Sequence, residues 1–419
     1  MRATYLLLAI LFAQVFCDTV YLSANTGSDD GEGTEENPFQ TFNKAFNSTD
    51  GTASLEIYLY PGVYGGVNNT GLTYAGALTI NWYQNSTAVA GDASAAQIDC
   101  TSAVTTSGAP CLASETSITI SGLDDNGLPQ ISFTDCGVCL SLNKTAEDKD
   151  SDYVLDITGV SFTGVTQYAI SATDIYSVSI SNSTFSDTGG DGLSLVHLIN
   201  VEDDILIENS QFNSLNKNSL FIVNTTLTEL DNNSFTDAKI YIQGVDQSDS
   251  QVIVDTNVFV DSGVTYTLTL TNGVFTIKNS KFNSQSGALD VSFSDTTSII
   301  NTSFEAGAQV EGGAAKFENV TTVTISENSF FSGNAATTFG GAIYSANSTV
   351  HIDATNFTFN AAIDGAAVGC LNGTNIYYDN TTVIFSSNTN TDPKGTDIQN
   401  TCVIHIQSFQ SSLVVSSLN

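Results

Sequence analysis

Phenylalanine returns at a nearly constant interval along most of this chain, and this repeat constrains the fold more than any other sequence feature. Each unit begins with alternating aliphatic residues, continues through two or three polar residues that often include Asn, and ends on a Phe. Successive phenylalanines lie 22 to 28 residues apart. The ten phenylalanines are Phe162, Phe185, Phe212, Phe235, Phe259, Phe282, Phe304, Phe330, Phe357 and Phe385.

The alternation within each unit indicates short strands, and the fixed interval indicates the coil of a β-solenoid. A β-sandwich or up-and-down barrel is the alternative, but it predicts hairpin turns about every eight to twelve residues and no Phe at one phase of ten units. We therefore predict an all-β fold, a right-handed parallel β-helix. Its inward Phe and Ile side chains stack on their equivalents, and the recurring Asn side chains form an amide ladder. At about 4.8 Å per coil, the rod is on the order of 60–70 Å long.

The N-terminal part of the mature chain predicts a cap over the first coil. Asn37-Pro38 interrupts the preceding segment, and Phe39, Phe42 and Phe46 follow at helical spacing. A short capping helix here would cover the open end, since exposed strand edges aggregate. We predict one domain over residues 18–419, with the cap region at 18–54 and a weaker last cover within 402–417.

Residues 1–17 are typical of a signal peptide, with Arg2 before an apolar run and a cleavage site after Cys17. An uncleaved membrane anchor is disfavoured because the run is short and a polar segment follows at once. We expect a secreted, extracellular chain without a membrane span after cleavage.

Charge limits the partners of the mature chain. Removing Arg2 leaves nine lysines and no arginine against 44 acidic residues, a formal charge of −35. Such a charge excludes nucleic acid as a partner and repels anionic membranes. It also disfavours acidic polysaccharides unless calcium bridges the two.

Six cysteines remain after cleavage, and an even number in an exported chain favours disulfides. Cys111 and Cys136 lie about one repeat apart, so they could pair between neighbouring coils. The rival arrangement joins Cys100 to Cys111 and Cys136 to Cys139. In either case Cys370 and Cys402 would close the C-terminal end.

Asn-x-Ser/Thr sequons are dense and predict N-linked glycans on surface asparagines. The thirteen sites are Asn47, Asn68, Asn85, Asn143, Asn182, Asn224, Asn232, Asn301, Asn319, Asn347, Asn356, Asn372 and Asn380.

Two segments carry a family resemblance. The stretch from Val20 to Phe46, with Ile57 to Tyr64 after it, resembles the N-terminal cap and first strand of the pectate-lyase-like superfamily of right-handed β-helices. Over residues 300–400 the chain is similar to polymorphic outer-membrane-protein repeats, which pair Phe-x-x-Asn with Gly-Gly-Ala-Ile. The full match is Phe331 to Asn334 followed by Gly340 to Ile343. These resemblances imply a β-helix and, by analogy, a surface or adhesive role.

The first resemblance also implies candidate chemistry, since lyases of that superfamily use Arg or Lys with calcium, and its esterases and hydrolases use Asp with Arg. The mature chain has no arginine, which excludes arginine chemistry. A carboxylate pair is the remaining catalytic hypothesis, and Asp174, Asp203 and Asp204 lie about one coil apart. Calcium is the cofactor that the spacing of Asp148, Asp150 and Asp152 indicates.

Two functions remain open at this stage. The first is a non-catalytic extracellular protein, structural or adhesive, that binds carbohydrate or a surface protein along one face. The second is a divergent polysaccharide lyase or glycoside hydrolase. The single Trp82 excludes a tryptophan-lined sugar groove, although tyrosines could substitute.

Overall fold

The computed structural model describes residues 17–83, 95–104, 109–143, 153–187, 194–261, 266–399 and 401–407. Strands β1 to β37, numbered along the chain, are accompanied in this part of the chain by two short helices, α1 (Phe42–Phe46) and α2 (Thr101–Val104). The strands are β1 (Cys17–Leu22), β2 (Ser54–Leu59), β3 (Gly62–Gly65), β4 (Leu72–Tyr74), β5 (Leu78–Trp82), β6 (Ala96–Asp99), β7 (Pro110–Ser114), β8 (Ile118–Ser121), β9 (Ile131–Thr134), β10 (Val138–Asn143), β11 (Val154–Thr158), β12 (Val160–Val165), β13 (Tyr168–Ile175), β14 (Ser177–Ser181), β15 (Thr184–Asp187), β16 (Ser194–Glu208), β17 (Gln211–Asp231), β18 (Ser234–Gly244), β19 (Gln251–Asp255), β20 (Val258–Asp261), β21 (Tyr266–Lys278), β22 (Lys281–Ser284), β23 (Gly287–Ile300), β24 (Ser303–Glu305), β25 (Ala308–Glu311), β26 (Ala315–Ser326), β27 (Phe330–Ser332), β28 (Ala335–Phe339), β29 (Ile343–Ala346), β30 (Thr349–Ile352), β31 (Asn356–Thr358), β32 (Ala361–Ala362), β33 (Val368–Leu371), β34 (Asn375–Asp379), β35 (Ile384–Ser386), β36 (Thr389–Asn390) and β37 (Val403–Gln407).

Each strand pairs in parallel with its equivalents one coil before and one coil after, and the chain makes about 12 turns. The predicted all-β parallel solenoid is therefore confirmed. Three faces run the length of the rod, which we name the front, back and phenylalanine sheets. The front sheet includes β10, β13 and β29, the back sheet β11, β14 and β30, and the phenylalanine sheet β12, β15 and β24. Longer strands such as β16 and β23 bend through a corner and belong to both front and back sheets.

Phenylalanine fills one interior column of the solenoid. Its ring centroids are 4.3–5.3 Å apart between successive coils, and neighbouring rings lie within 14° of parallel. The expected stacking of Phe185, Phe212 and Phe282 on their equivalents is confirmed. One assignment was wrong: Phe331 occupies the column, and Phe330 precedes it in β27 and pairs with Asn356. Two adjacent phenylalanines made the register ambiguous from sequence.

Polar side chains turn the chain at the corners between the sheets. The predicted amide ladder is present on the outside, where Asn232 Nδ2 donates to Asn209 Oδ1 at 2.7 Å. Asn209 and Asn232 have φ of 51°, a left-handed conformation that Asn tolerates better than most residues. Asn233 and Asn257 instead occupy the next, buried position, where each Oδ1 accepts a backbone N–H of the preceding coil. The recurring Asn thus falls into two structural classes.

The predicted short helix is present near the N-terminal end of the solenoid. Helix α1 buries Phe42 and Phe46, and the buried Phe39 forms an isolated parallel bridge with Leu22. Thr41 caps the helix by accepting from Lys44 N at 3.2 Å. At the other end β37 pairs with β34, and residues 408–417 of the predicted cover lie outside the described residues. Residues 1–16 of the predicted signal peptide lie outside them as well.

The cysteines adopt the rival arrangement. Cys100 pairs with Cys111, Cys136 with Cys139, and Cys370 with Cys402. A pair between Cys111 and Cys136 of neighbouring coils is not formed. All six are buried, and the Cα atoms of each pair are 5.1–5.5 Å apart.

Candidate functional site

A continuous column of outward side chains runs along the front sheet, and we call it the central column. Because the strands are parallel and in register, each coil contributes one residue. An aromatic half is followed by a polar and charged half, and the column reads His197, Phe221, Tyr241, Thr269, Asp290, Lys316 and Tyr344. At about 4.8 Å per coil it extends for ~29 Å.

The aromatic half is a ring stack on the outside of the solenoid. The His197 and Phe221 centroids lie 5.0 Å apart, and those of Phe221 and Tyr241 lie 5.3 Å apart. The Tyr168 ring tilts against His197 at 4.8 Å. All four side chains are half-buried, and burial lowers the pKa of His197. At neutral pH this half therefore presents uncharged ring edges, a Tyr hydroxyl and a neutral imidazole.

The charged half is a cluster of ionisable groups with different environments. Asp290 lies between Thr269 and Lys316 in register, and Lys316 Nζ is 3.0 Å from Glu318 Oε1. Burial raises the pKa of Asp290, opposed by the charge of Lys316 and reinforced by that of Glu318. Although burial opposes it, the ion pair with Glu318 raises the pKa of Lys316. Asp290 thus holds its proton more strongly than an ordinary Asp.

Two tyrosines border this cluster. Tyr266 lays its ring over Gly287, where a Cβ would meet ring atoms at 2.3 Å, so only glycine allows the tyrosine this position. Its hydroxyl donates to the backbone oxygen of Glu311 at 3.1 Å, and burial raises its pKa. Tyr344 is 2% exposed, and burial together with Glu311 raises its pKa to about 12. Both tyrosines remain hydroxyl donors at any physiological pH.

A strained aromatic residue lies at the edge of the same cluster. A row of left-handed corner residues borders the front sheet, with φ between 52° and 58°: Asp174, Asn200, Asn224, Asn272, Asn319, Asn347 and Asn372. Phe293 occupies the equivalent corner between Asn272 and Asn319, with φ of 53° and 48% exposure. A bulky residue in this conformation is unusual, and such strain concentrates at functional sites.

The carboxylates proposed from sequence lie on two neighbouring coils, and their catalytic role stays a prediction. Asp174 Oδ1 accepts from Asn200 Nδ2 at 2.7 Å and so begins the corner row. Asp203 N donates to Tyr176 O, and Asp204 pairs with Leu227 in the following coil. The register therefore aligns Asp174 with Asn200, so Asp203 and Asp204 lie one coil later and three and four residues further along the chain.

The predicted calcium ligands Asp148, Asp150 and Asp152 lie outside the described residues. Within the described ranges, no three His, Cys, Asp or Glu side chains are grouped to hold a metal ion. The same ranges contain no helix long and apolar enough to cross a bilayer.

Most of the predicted glycosylation asparagines are exposed. The exposed ones are Asn47, Asn68, Asn143, Asn182, Asn224, Asn232, Asn301, Asn319, Asn347, Asn372 and Asn380. Asn356 is half-buried in β31, and Asn85 lies outside the described residues. Glycan attachment at the exposed sites stays a prediction.

Sequence reasoning missed the central column, although it left a signal. Asp290 stands between Leu289 and Val291, and Lys316 stands between Ala315 and Phe317. A charged residue flanked by two inward apolar residues is typical of an outward position on a buried strand. The distance from each Phe to the column varies, from 6 residues for Tyr241 to 13 for Tyr344, so the Phe repeat could not align them.

Among the comparisons with known proteins, only the comparison with solved structures gives a match. No family model matches the sequence, so neither resemblance is supported in that way, and no curated protein matches. Two solved structures of a GH136 lacto-N-biosidase from Eubacterium ramulus are similar at 10% and 11% identity. Each alignment covers 93% of this chain and 68% of the solved chain, with TM-scores of 0.23 and 0.19. At these values the similarity carries no argument about function.

Proposed function

We propose that the protein is an extracellular rod that binds an extended glycan along its front sheet. The observation that supports this proposal is the central column, which presents one side chain per coil from His197 to Lys316, over about 24 Å. A linear ligand lying parallel to the axis meets the aromatic half first and the hydroxyl- and carboxylate-bearing half next. Rings with polar tips and a few fixed hydrogen-bonding groups are the combination that sugar recognition requires.

The charge of the chain favours a neutral glycan over the other linear polymers. With a formal charge of −34, the protein repels nucleic acid and uronate polymers. On the central column Lys316 is already paired with Glu318. An incoming carboxylate would have to displace Glu318 and approach Asp290 as well. The three disulfides of the chain fit a ligand outside the cell.

The test is binding of the purified protein to an array of neutral and acidic oligosaccharides, followed by titration calorimetry on the best ligand. Phe221→Ala and Tyr241→Ala should each weaken binding by about tenfold, the equivalent of about 1.4 kcal/mol. The matched control is Tyr377→Ala, which removes a ring from the similar outward stack of His351, Tyr377 and His405 on the back sheet. It should leave binding unchanged.

Two results would contradict the proposal. One is no retention of any glycan at millimolar concentration. The other is an equal loss of binding in Tyr241→Ala and Tyr377→Ala, which would assign the ligand to no particular face. Capture of a protein by the front sheet, abolished by Tyr241→Ala, would replace the glycan with a protein partner.

A further inference from the structure

We infer that N-linked glycans attached along the two corners of the back sheet cover that face and leave a window on the front sheet, at Tyr241, Thr269 and Asp290, open to a partner. The inference does not rest on the proposed function, because it concerns the face that the chain's own glycans occupy. Its basis is the position of the Asn-x-Ser/Thr sequons in the register of the solenoid. An N-linked glycan is bulky, so a row of them keeps other molecules from the surface beneath.

Two corners border the back sheet, and each carries a row of exposed sequon asparagines. The front–back corner, where the chain passes from the front to the back sheet, carries Asn224, Asn319, Asn347 and Asn372. The back–phenylalanine corner, at the other end of each back-sheet strand, carries Asn182, Asn232, Asn301 and Asn380. Asn143 ends the front strand β10 and Asn356 begins β31, so both lie beside the same two corners.

The third corner, between the phenylalanine and front sheets, has asparagines but no sequon. Asn334, Asn360 and Asn388 stack there in successive coils. Alanine occupies both positions after Asn334 and after Asn360, and Asn388 is followed by Thr-Asn, so none of the three is a glycan acceptor. All three corners use Asn, and the sequons are confined to the two that border the back sheet. Abundance of Asn therefore does not explain their distribution.

The hydrogen bonds of the corner rows are compatible with glycan attachment. Asn224 Nδ2 donates to Asn200 Oδ1 at 2.8 Å, and Asn301 Nδ2 donates to Asn279 Oδ1 at 2.9 Å. An Asn Nδ2 carries two hydrogens, and the ladder uses one of them. The sugar replaces the other, so one side chain can bond the preceding coil and carry a glycan.

The back sheet exposes apolar side chains where the two rows are closest along the chain. Leu206 and Ile253 lie between inward, buried residues of their strands and therefore point outward. Both pair with Glu229, from the coil before and the coil after. The coil of Glu229 has Asn224 and Asn232 at the two ends of its back-sheet segment. Glycans on these two asparagines reach the apolar pair from both sides and limit association through it.

The spacing of the rows covers the back sheet and spares the middle of the front sheet. Each back-sheet strand from β14 to β34 lies in a coil with a sequon at one of its corners or next to such a coil, a distance of about 4.8 Å. On the front sheet, the coils of Tyr241, Thr269 and Asp290 have no sequon at either end of the strand. These three residues belong to the central column, so the window exposes its middle.

The first measurement is glycan occupancy of the full-length protein secreted from a eukaryotic cell. Enzymatic release in heavy-oxygen water converts each occupied Asn to labelled Asp, which peptide mass spectrometry reads. We expect occupied sites in both rows. Asn347 and Asn372 lie one coil apart, about 4.8 Å, so a glycan on either one is enough to cover that part of the edge. A row without any occupied site would overturn the inference.

The second measurement is hydroxyl-radical labelling of Tyr377, which lies on β34 between Asn372 and Asn380. Replacing both asparagines by Asp removes the two sequons, and Asp tolerates the left-handed backbone at position 372. Labelling of Tyr377 should rise severalfold, while labelling of Tyr241 in the window stays the same. The matched control is Asn272→Asp, a left-handed member of the front–back corner outside any sequon, which should change neither.

Enzymatic removal of all glycans from the wild-type protein repeats the comparison without a substitution. Unchanged labelling of Tyr377, at sites shown to be occupied, would overturn the cover over the back sheet. An equal rise at Tyr241 and Tyr377 would overturn the window. A protein that carries both rows of glycans but binds no oligosaccharide on the array loses the proposed function, and the assignment of the covered face stands.

Discussion

At the scale of single residues, the corners of the solenoid are decided by which side chains tolerate a left-handed backbone. Asparagine meets this need at most corners, and its amide also donates to the preceding coil, as from Asn301 Nδ2 to Asn279 Oδ1 at 2.9 Å. Phe293 and Phe359 are the bulky exceptions. Phe293 borders the charged half of the central column, whereas Phe359 lies at a different corner, after the phenylalanine sheet. The strain at Phe293 thus lies beside the column proposed to bind a glycan, whereas nothing in the structure explains the strain at Phe359.

Phe359→Asn should stabilise the protein. Phe359 is 68% exposed and has φ of 56°, so its replacement loses little packing and removes left-handed strain. The expected gain in the free energy of unfolding is about 1 kcal/mol. Urea titration followed by circular dichroism measures it, with Phe330→Asn as a control at a residue that is not left-handed. A lower urea midpoint for Phe359→Asn would contradict the assignment of strain.

Asp290→Asn should stabilise the fold at neutral pH more than at pH 4. A carboxyl whose pKa is raised by folding loses stability as pH rises from the ordinary pKa of about 3.9 through the raised value. Asn mimics the protonated form, so its advantage should be full at pH 7 and small near pH 4. Thermal melts of both proteins at the two pH values test this. An advantage that is greater at pH 4 would show that Asp290 is not held protonated by burial.

At the scale of strands and corners, a buried ladder explains the Phe-x-x-Asn motif. Asn334, Asn360 and Asn388 stack in successive coils, with Asn334 Nδ2 donating to Asn360 Oδ1 at 3.0 Å and Asn360 Nδ2 to Asn388 Oδ1 at 3.1 Å. The glycines of the accompanying motif permit close contact of the coils, since a Cβ on Gly341 would lie 2.3 Å from Ala366 O. The motif therefore has a structural role: its Asn side chains link successive coils at the corner, and its glycines let the coils approach closely.

Asn360→Ala should destabilise the protein by about 3 kcal/mol. The side chain is fully buried and also donates to Phe331 O at 3.0 Å, so its loss leaves several buried polar groups without a partner. Urea titration measures the loss against Asn283→Ala, an exposed position on β22. Equal midpoints for the two variants would mean that the ladder adds no stability.

The sequence predicted some features of the solenoid and missed others. The Phe column and the capping helix follow from spacing and hydrophobicity, because the interior imposes the same demand on every coil. Choosing between Phe330 and Phe331 was not possible, since both are apolar and adjacent. The pairing of Cys111 depended on its three-dimensional position near Cys100 across α2. The central column stayed hidden because the loops between the phenylalanine and front sheets differ in length, so its members do not recur at a fixed interval.

At the scale of the whole molecule, each coil contacts only its neighbours, and stability is close to a sum of local terms. Deleting residues 235–258 should therefore give a folded, shorter protein. The deletion joins Ser234 to Phe259, and Phe259 is already the partner of Phe235 in the next coil. Small-angle scattering should report a rod shortened by about 5 Å, with the β signal in circular dichroism retained. Loss of cooperative unfolding would show that the coils are not interchangeable.

The same deletion removes Tyr241 and shortens the central column by one position. Glycan affinity should fall, because aromatic and polar halves move closer together by one coil. In the proposed mode of binding, the number of stacked coils from His197 to Lys316 sets the length of polymer that contacts the front sheet. Duplication of one coil within the gene would add one position to the central column. The duplicated coil would bring its own inward side chains, so the length of the bound ligand could change in evolution without a new core.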